Sequence, residues 1–256
     1  MKRRGGAISV EDLTSTLGLS DVSGSVTDRV ARALGLDILS GRIAPGENIP
    51  REEDLRDRFG VSRTVLREAV RVLIAKGLVT SKTRVGTLVR PPQNWNYFDA
   101  EVLAWRVSVG LDANLLQSLR EARMAVEPFA ARLAAMRASP AEIAEMAESV
   151  HLMQSALDDR ALFARADLRF HRAVAAASGN FVLGSFASVI ETALVCATLL
   201  LPLEKKALRT EAVARHAELL DAVRQRDPDR ASKLMADMIG FGAQVGEQPP
   251  AGAQAG

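Results

Sequence analysis

Arg63, Arg67 and Arg71 stand four residues apart, so on a helix they form one row of guanidinium groups. Each guanidinium is a planar fork of N–H donors, and near a helix start such a fork reaches O6 and N7 of guanine in a major groove. The hydroxyls of Ser62 and Thr64, beside the unpaired amides of the same helix start, suit phosphate oxygens. A solvated helix face accounts for the same row about as well, because basic faces are common.

A second constellation lies far along the chain. Asp167 and His171 are four apart and share a helix face, and a helical bundle can bring His216 alongside. Two imidazoles and a carboxylate are enough for a divalent, zinc-like ion with positions left open for water or a ligand carboxylate. Packed histidines without metal are the plainer alternative. Arg123 can grip an anionic ligand side-on, or pair with Glu127 one turn further on. A zinc hydrolase is the rival reading of the same three residues. Against it, the sequence has no H-E-x-x-H and no glycine-framed nucleophile beside a base. His151 has no such company and reads as a helix-surface residue.

The elements that must hold these residues follow from periodicity. Val26, Val30, Leu34 and Ile38 recur every four residues and mark a helix that Gly41 and Pro45-Gly46 end. A short helix over about Glu52 to Arg58 precedes the turn Phe59-Gly60-Val61. Ser62 then caps a helix running to about Ala75, with Leu66, Ala69, Val70 and Leu73 facing inward and Glu68 pairing with an arginine. Two short strands, near Leu78–Ser81 and Thr87–Val89, pair across a wing whose tip carries Lys82, Thr83 and Arg84. The layout is helix, glycine-bearing turn, helix and hairpin: a winged helix-turn-helix over residues 25–92.

Residues 93–110 read as a linker and inter-domain helix, whose Trp95, Tyr97, Phe98 and Trp105 either dock the two domains or anchor a core. Beyond them residues 111–245 form a helical bundle, with helices near 100–108, 112–138, 140–157, 160–178, 181–201, 204–226 and 228–243. Pro140 and Pro228 sit at helix starts, where a missing N–H costs nothing. Residues 1–24 and 246–256 are polar or Gly/Pro/Ala-rich and are expected to be disordered. The fold class is therefore mainly α, a small winged domain followed by an all-helical one.

Charge agrees with a division of labour. Residues 1–90 hold 16 Lys and Arg against 11 Asp and Glu, and the remainder 17 against 20, so only the front half suits a polyanion. The single cysteine, Cys196, cannot form an internal disulfide and reads as a buried helix thiol. No apolar signal core follows Lys2, Arg3 and Arg4, and the apolar run from Ala193 to Leu203 is too short for a bilayer. A cytoplasmic location is expected.

Residues 26–92 resemble the winged helix of the GntR family of bacterial transcriptional regulators over their whole length. The resemblance is carried by Leu34-Gly35, Ser40-Gly41, Pro45-Gly46, Pro50, Glu52 and Leu55. It continues through Gly60-Val61-Ser62-Arg63-Thr64-Val65-Leu66-Arg67-Glu68-Ala69-Val70, Gly77-Leu78-Val79 and Val85-Gly86-Thr87. It implies operator contacts by Arg63 and Arg67, with Arg84 near the wing tip. Many members carry an arginine where this chain has Glu53, and Arg51 is the residue that can replace it.

The second half resembles the ligand-binding domain of the FadR branch. Leu119-Arg120-Glu121-Ala122-Arg123, Glu127-Pro128 and Ala130-Ala131 match its opening helix, and Asp167-Leu168-Arg169-Phe170-His171 with Ala177-Ser178-Gly179-Asn180 its centre. Trp95-Asn96, Asp99 and Val102-Leu103-Ala104-Trp105 look like the galactonate-operon repressors in particular. The resemblance implies a homodimeric repressor on a near-palindromic operator. It also implies a small carboxylic or sugar-acid effector touching Arg123 and Asn180, and a metal on Asp167, His171 and His216. Many relatives add a histidine where this chain has Met238. An effector-free dimer that only binds DNA remains the other alternative.

Overall fold

The computed structural model describes residues 24–186, 189–194 and 206–246. The expected disordered ends and Cys196 lie outside these residues. The described chain divides at Leu111/Asp112 into two compact units.

The first unit opens with α1 (Val26–Leu39), started by a capping box in which Ser25 Oγ accepts the Asp28 N–H and Asp28 accepts that of Ser25. Of its every-fourth apolar residues, Val30, Leu34 and Ile38 are buried as the spacing predicts, while Val26 in the first turn is exposed. Next comes α2 (Glu52–Phe59), which stops at Gly60 in a left-handed conformation, φ +63°, that costs a residue with a Cβ far more than glycine. The sharp bend lets Ser62 cap α3 (Arg63–Ala75) by accepting the Val65 N–H. Strands β1 (Val79–Lys82) and β2 (Gly86–Val89) pair antiparallel, Val79 opposite Val89 and Lys82 opposite Gly86. Leu34, Ile38, Leu55, Leu66, Leu73 and Leu78 make the centre of this core, each burial stabilising by about 1.5–3 kcal/mol.

Two sequence expectations change here. Val70 is only half-buried and lies beside the arginine row, so the inward face of α3 is Leu66, Ala69 and Leu73. Residues 93–110, read as a linker and inter-domain helix, pack into the first unit's own core. Trp95 and Trp105 are buried there, and α4 (Ala100–Val109) lies on α1. The approach is so close that a Cβ on Gly35 would meet the Trp105 ring at 2.5 Å, and this contact requires the glycine. Lys76, at the end of α3, donates to Asp99 at 2.8 Å, reaches Glu101 at 2.6 Å and lies over the Trp105 ring.

The second unit holds α5 (Ala113–Arg137), α6 (Pro140–Ser155), α7 (Arg160–Ala177), a helical stretch at residues 189–194, α8 (Lys206–Arg224) and α9 (Pro228–Gly246). The small side chains Ala131, Ala134 and Ala135 give α5 a face on which α9 packs most extensively. Phe170, Met146, Leu219, Val223 and Met235 fill the remaining core. The helix expected over 181–201 differs at its start. Asn180 Oδ1 accepts the Val182 N–H at 3.1 Å, and residues Leu183–Phe186 form a 3-10 turn instead. No described helix is long and apolar enough to cross a membrane.

Candidate DNA-reading surface and buried histidine site

Ser62, Arg63, Thr64, Arg67 and Arg71 are all exposed on one side of α3, with Arg51 exposed at the start of α2. Between α3 and the wing runs a groove of about 700 Å³, lined by Arg51, Glu52, Arg67, Arg71, Ser81 and Thr87 among others. The three arginines of the row are not equivalent. Arg63 is paired with Glu52, which raises its pKa, and Arg71 donates to Glu68 at 2.8 Å, the partnership expected of Glu68. Arg67, between them, has no ion pair among the described residues. At the far side of the groove Lys82, Thr83 and Arg84 are exposed at the hairpin end, where Val85 N–H donates to the Lys82 carbonyl. Arg84 sits at φ +65°, a conformation that costs a non-glycine residue of order 1 kcal/mol and projects its charge from the tip.

The second site is buried where α5, α7 and α8 meet. Asp167, His171 and His216 each offer a ligand atom, and these atoms lie within 4.8 Å of one another. His216 Nε2 is 2.9 Å and His171 Nε2 3.7 Å from the same oxygen, Asp167 Oδ1. The rear of the His216 ring is fixed, since Nδ1 contacts the Ala212 carbonyl at 2.7 Å and must carry the proton there. His171 Nδ1 lies 2.5 Å from Glu127 Oε2. The His171–Glu127 and His216–Asp167 contacts are close but off the direction of a hydrogen bond, so His171 Nδ1 and His216 Nε2 are buried without aligned partners.

Electrostatics bind the cluster together. Burial favours a neutral Glu127, but the Arg123 guanidinium and then His171 outweigh it and hold the carboxyl at about 2. Burial likewise opposes ionisation of Asp167, and His216, His171 and Arg123 keep it below the usual carboxylate range. Arg123 is buried too, paired with Glu127, which lifts its pKa against the cost of burial. Its Nη2 is 3.5 Å from His171 Nε2. Beside His171 is a narrow crevice with no room for a water molecule, lined by Val126, Val174, Leu183, Ile190 and Met235.

Residues 26–89 match the model of the bacterial regulatory proteins of the gntR family, and residues 118–241 match the FCD domain. The galactonate operon transcriptional repressor of Escherichia coli K12 is 34% identical over 213 residues, 83% of this chain and 93% of the relative. This chain belongs to the GntR family of transcriptional regulators. The transcriptional repressor NanR of Salmonella newport is 30% identical over 197 residues, covering 74% and 73% of the two chains. Among solved structures, a regulator described as Lar, which controls the agr system of Listeria monocytogenes, has a TM-score of 0.56 and 17% identity. Escherichia coli McbR/YncC has 0.52 and 18%, and each covers 87% of this chain and 97% of its own. The fold is thus shared well beyond recognisable sequence similarity. The relatives are regulators of transcription, so the hydrolase reading of the histidine cluster is set aside.

The structure brings together Asp167 and His171, which helix spacing joins, and His216, which the family resemblance adds, and it exposes the arginine row of this GntR-family helix-turn-helix. It did not bring Asn180 to the crevice: that side chain is engaged in the turn after α7. For Arg123 the structure contains the ion pair with Glu127, one of its two readings. Met238 is buried in the core with Met235 and Ile239, an apolar packing residue. His151 is exposed, as expected. Two participants had escaped the sequence reading: Glu127 as the neighbour of His171, and Glu52 as the counter-ion of Arg63. The i, i+4 spacing from Arg123 marks the first only half-way, because the histidine arrives from 44 positions later.

Proposed function

We propose that this GntR-family regulator is a homodimeric repressor whose grip on a near-palindromic operator is set by a small sugar acid. The acid binds at a divalent ion, zinc being the best match, in the FCD domain. The observation that carries the reading is the buried convergence of His171 Nε2, His216 Nε2 and Asp167 Oδ1. The donor set fits the group. Two imidazole nitrogens and a carboxylate suit zinc, and the Ala212 carbonyl holds the rear of the His216 ring so that Nε2 is free to face an ion. His216 Nε2 is also a buried polar atom with no aligned hydrogen bond, which an ion would satisfy. When bound, the ion would offer open positions to the carboxylate and hydroxyl oxygens of a ligand.

The chain's own residues do the rest. Arg123 Nη2 sits beside His171 Nε2 and would balance a carboxylate held there, while Glu127 keeps Arg123 in place when no acid is present. A sugar acid is the class suggested by the galactonate repressor, the relative that spans 83% of this chain. On the DNA side Arg67 is the base-reading residue, since it alone in the row enters the groove without a carboxylate to leave behind. Ser62, Thr64, Lys82 and Thr83 serve phosphates, with Arg51, Arg63, Arg71 and Arg84 at the edges of the contact. The acid can act only if it binds the two conformations of the dimer unequally.

Calorimetric titration of the metal-free protein with zinc, and then with D-galactonate, tests this. One ion per chain is expected, with His216→Ala weakening it at least tenfold, and acid binding only after metal. A protein that takes up no zinc would end the metal reading.

A further inference from the structure

We propose that Arg160 and Arg209 form a second ligand site in the helical domain, which takes a small oxyanion side-on. Arg160 is the first residue of α7, and its Nε and Nη2 are buried without a hydrogen-bond partner. Those two atoms make up one edge of the guanidinium. The same edge of Arg169, nine residues on, grips both oxygens of Glu145 at 2.6 and 2.9 Å, and that of Arg172 grips Glu191. On Arg160 this edge is presented and, among the described residues, no carboxylate answers it.

The neighbouring charges make the lack more costly. Arg209 is buried and faces the same end of the bundle, its Nε donating to the Leu157 carbonyl at 2.7 Å. Burial pushes the Arg160 guanidinium below its ordinary value, and the charge of Arg209 adds to that. Asp158 and Asp159, the acids just before Arg160 in the chain, are committed elsewhere. Asp158 pairs with Lys206 at 2.6 Å, and Asp159 Oδ1 accepts the Ala161 and Leu162 amides as the cap of α7. Two buried, unpaired donors on a half-buried guanidinium beside a second guanidinium are unfavourable as they stand, and an anion with two adjacent oxygens relieves both.

The location is informative. Arg160 precedes Asp167 by seven residues and Arg209 precedes His216 by seven, which is two turns on each helix. Asp167 and His216 touch at 2.9 Å, so the arginine pair lies two turns before that contact on both helices, about 10 Å from the histidine cluster at 1.5 Å per residue. It is therefore a separate site, within reach of one that senses the effector.

The chemistry shared by a phosphate group and a carboxylate is the pair of oxygens. Titration of the full chain with inorganic phosphate and, separately, with acetate, against chloride at equal ionic strength, distinguishes the two. Saturable binding and a raised Tm are expected for at least one of them. Arg160→Gln should weaken it at least tenfold, while Arg169→Gln on the same helix leaves it unchanged. Arg160→Lys, which keeps the charge and removes the two-donor edge, should weaken it as well, and circular dichroism checks that each variant is folded. Binding of neither anion in preference to chloride, or wild-type affinity in folded Arg160→Gln or Arg160→Lys, overturns the proposal.

Discussion

On α3 the arginines stand in solvent, Arg63 and Arg71 leaning on carboxylates of the same small domain and Arg67 without an ion pair among the described residues, whereas the histidine cluster of the FCD domain is largely enclosed and its ionisable groups face one another. Arg123, Glu127, His171, Asp167 and His216 form one continuous chain of neighbouring ionisable groups. The difference fits the partners proposed for the two sites. DNA brings its own charge and its own water, so the reading face needs cations left exposed and cheaply released. A small ligand has to be drawn out of water into a closed bundle, so its site needs charges already desolvated and oriented. Substitution should therefore alter binding without stability on α3, and stability together with binding in the FCD domain.

The largest effect should come from the buried side of this contrast. Glu127→Ala leaves Arg123 and a histidine uncompensated in the core, and removing one partner of such a pair costs roughly 3–5 kcal/mol; urea unfolding measures it. The pH dependence has a definite sign. With its carboxyl held at about 2 against an ordinary 4.5, Glu127 contributes stability that is present above pH 4.5 and lost as pH falls toward 2. Glu127→Gln should flatten the stability curve in that window, and an unchanged slope there would contradict the pairing.

The next effect belongs to the exposed side. Arg67→Ala should cost about 1–3 kcal/mol of specific operator binding, because a lost bidentate base contact is worth that much. Its Tm should stay within the small range of surface substitutions. A large loss of stability in this variant would break the comparison at its root. Lys82→Ala should act uniformly across DNA sequences and lower the salt slope by about one, the mark of a single phosphate contact. Smallest of all is Glu68→Ala. The pair it makes with Arg71 is exposed on both sides and worth about 0.5 kcal/mol or less, so unfolding should barely register its removal.

Legibility in the sequence divides along the same line. The winged helix was readable because local rules set it: a four-residue apolar period in α1, Gly60 bending the chain, Ser62 capping α3, and the hairpin register within a residue. What failed there was tertiary. Val70 has core spacing but borders the groove, and Trp105 could be placed only after Gly35 was seen to make room for its ring. In the FCD domain the Asp167-x3-His171 spacing was visible because both residues share one helix. Glu127 as the neighbour of His171, and the register that sets Arg160 beside Arg209, depend on how separate helices lie together. The turn at Asn180 was missed for the opposite reason, since a side chain capping its own backbone leaves no periodic trace.

The proposed control of the exposed arginines by the buried cluster is tested most directly by operator affinity measured with and without D-galactonate on zinc-loaded protein. It predicts that the acid weakens operator binding by the wild-type protein at least fivefold, the low end of ordinary allosteric coupling, and leaves Asp167→Ala unaffected. Equal operator affinity with and without the acid in the wild type, or the same weakening in Asp167→Ala, would contradict it.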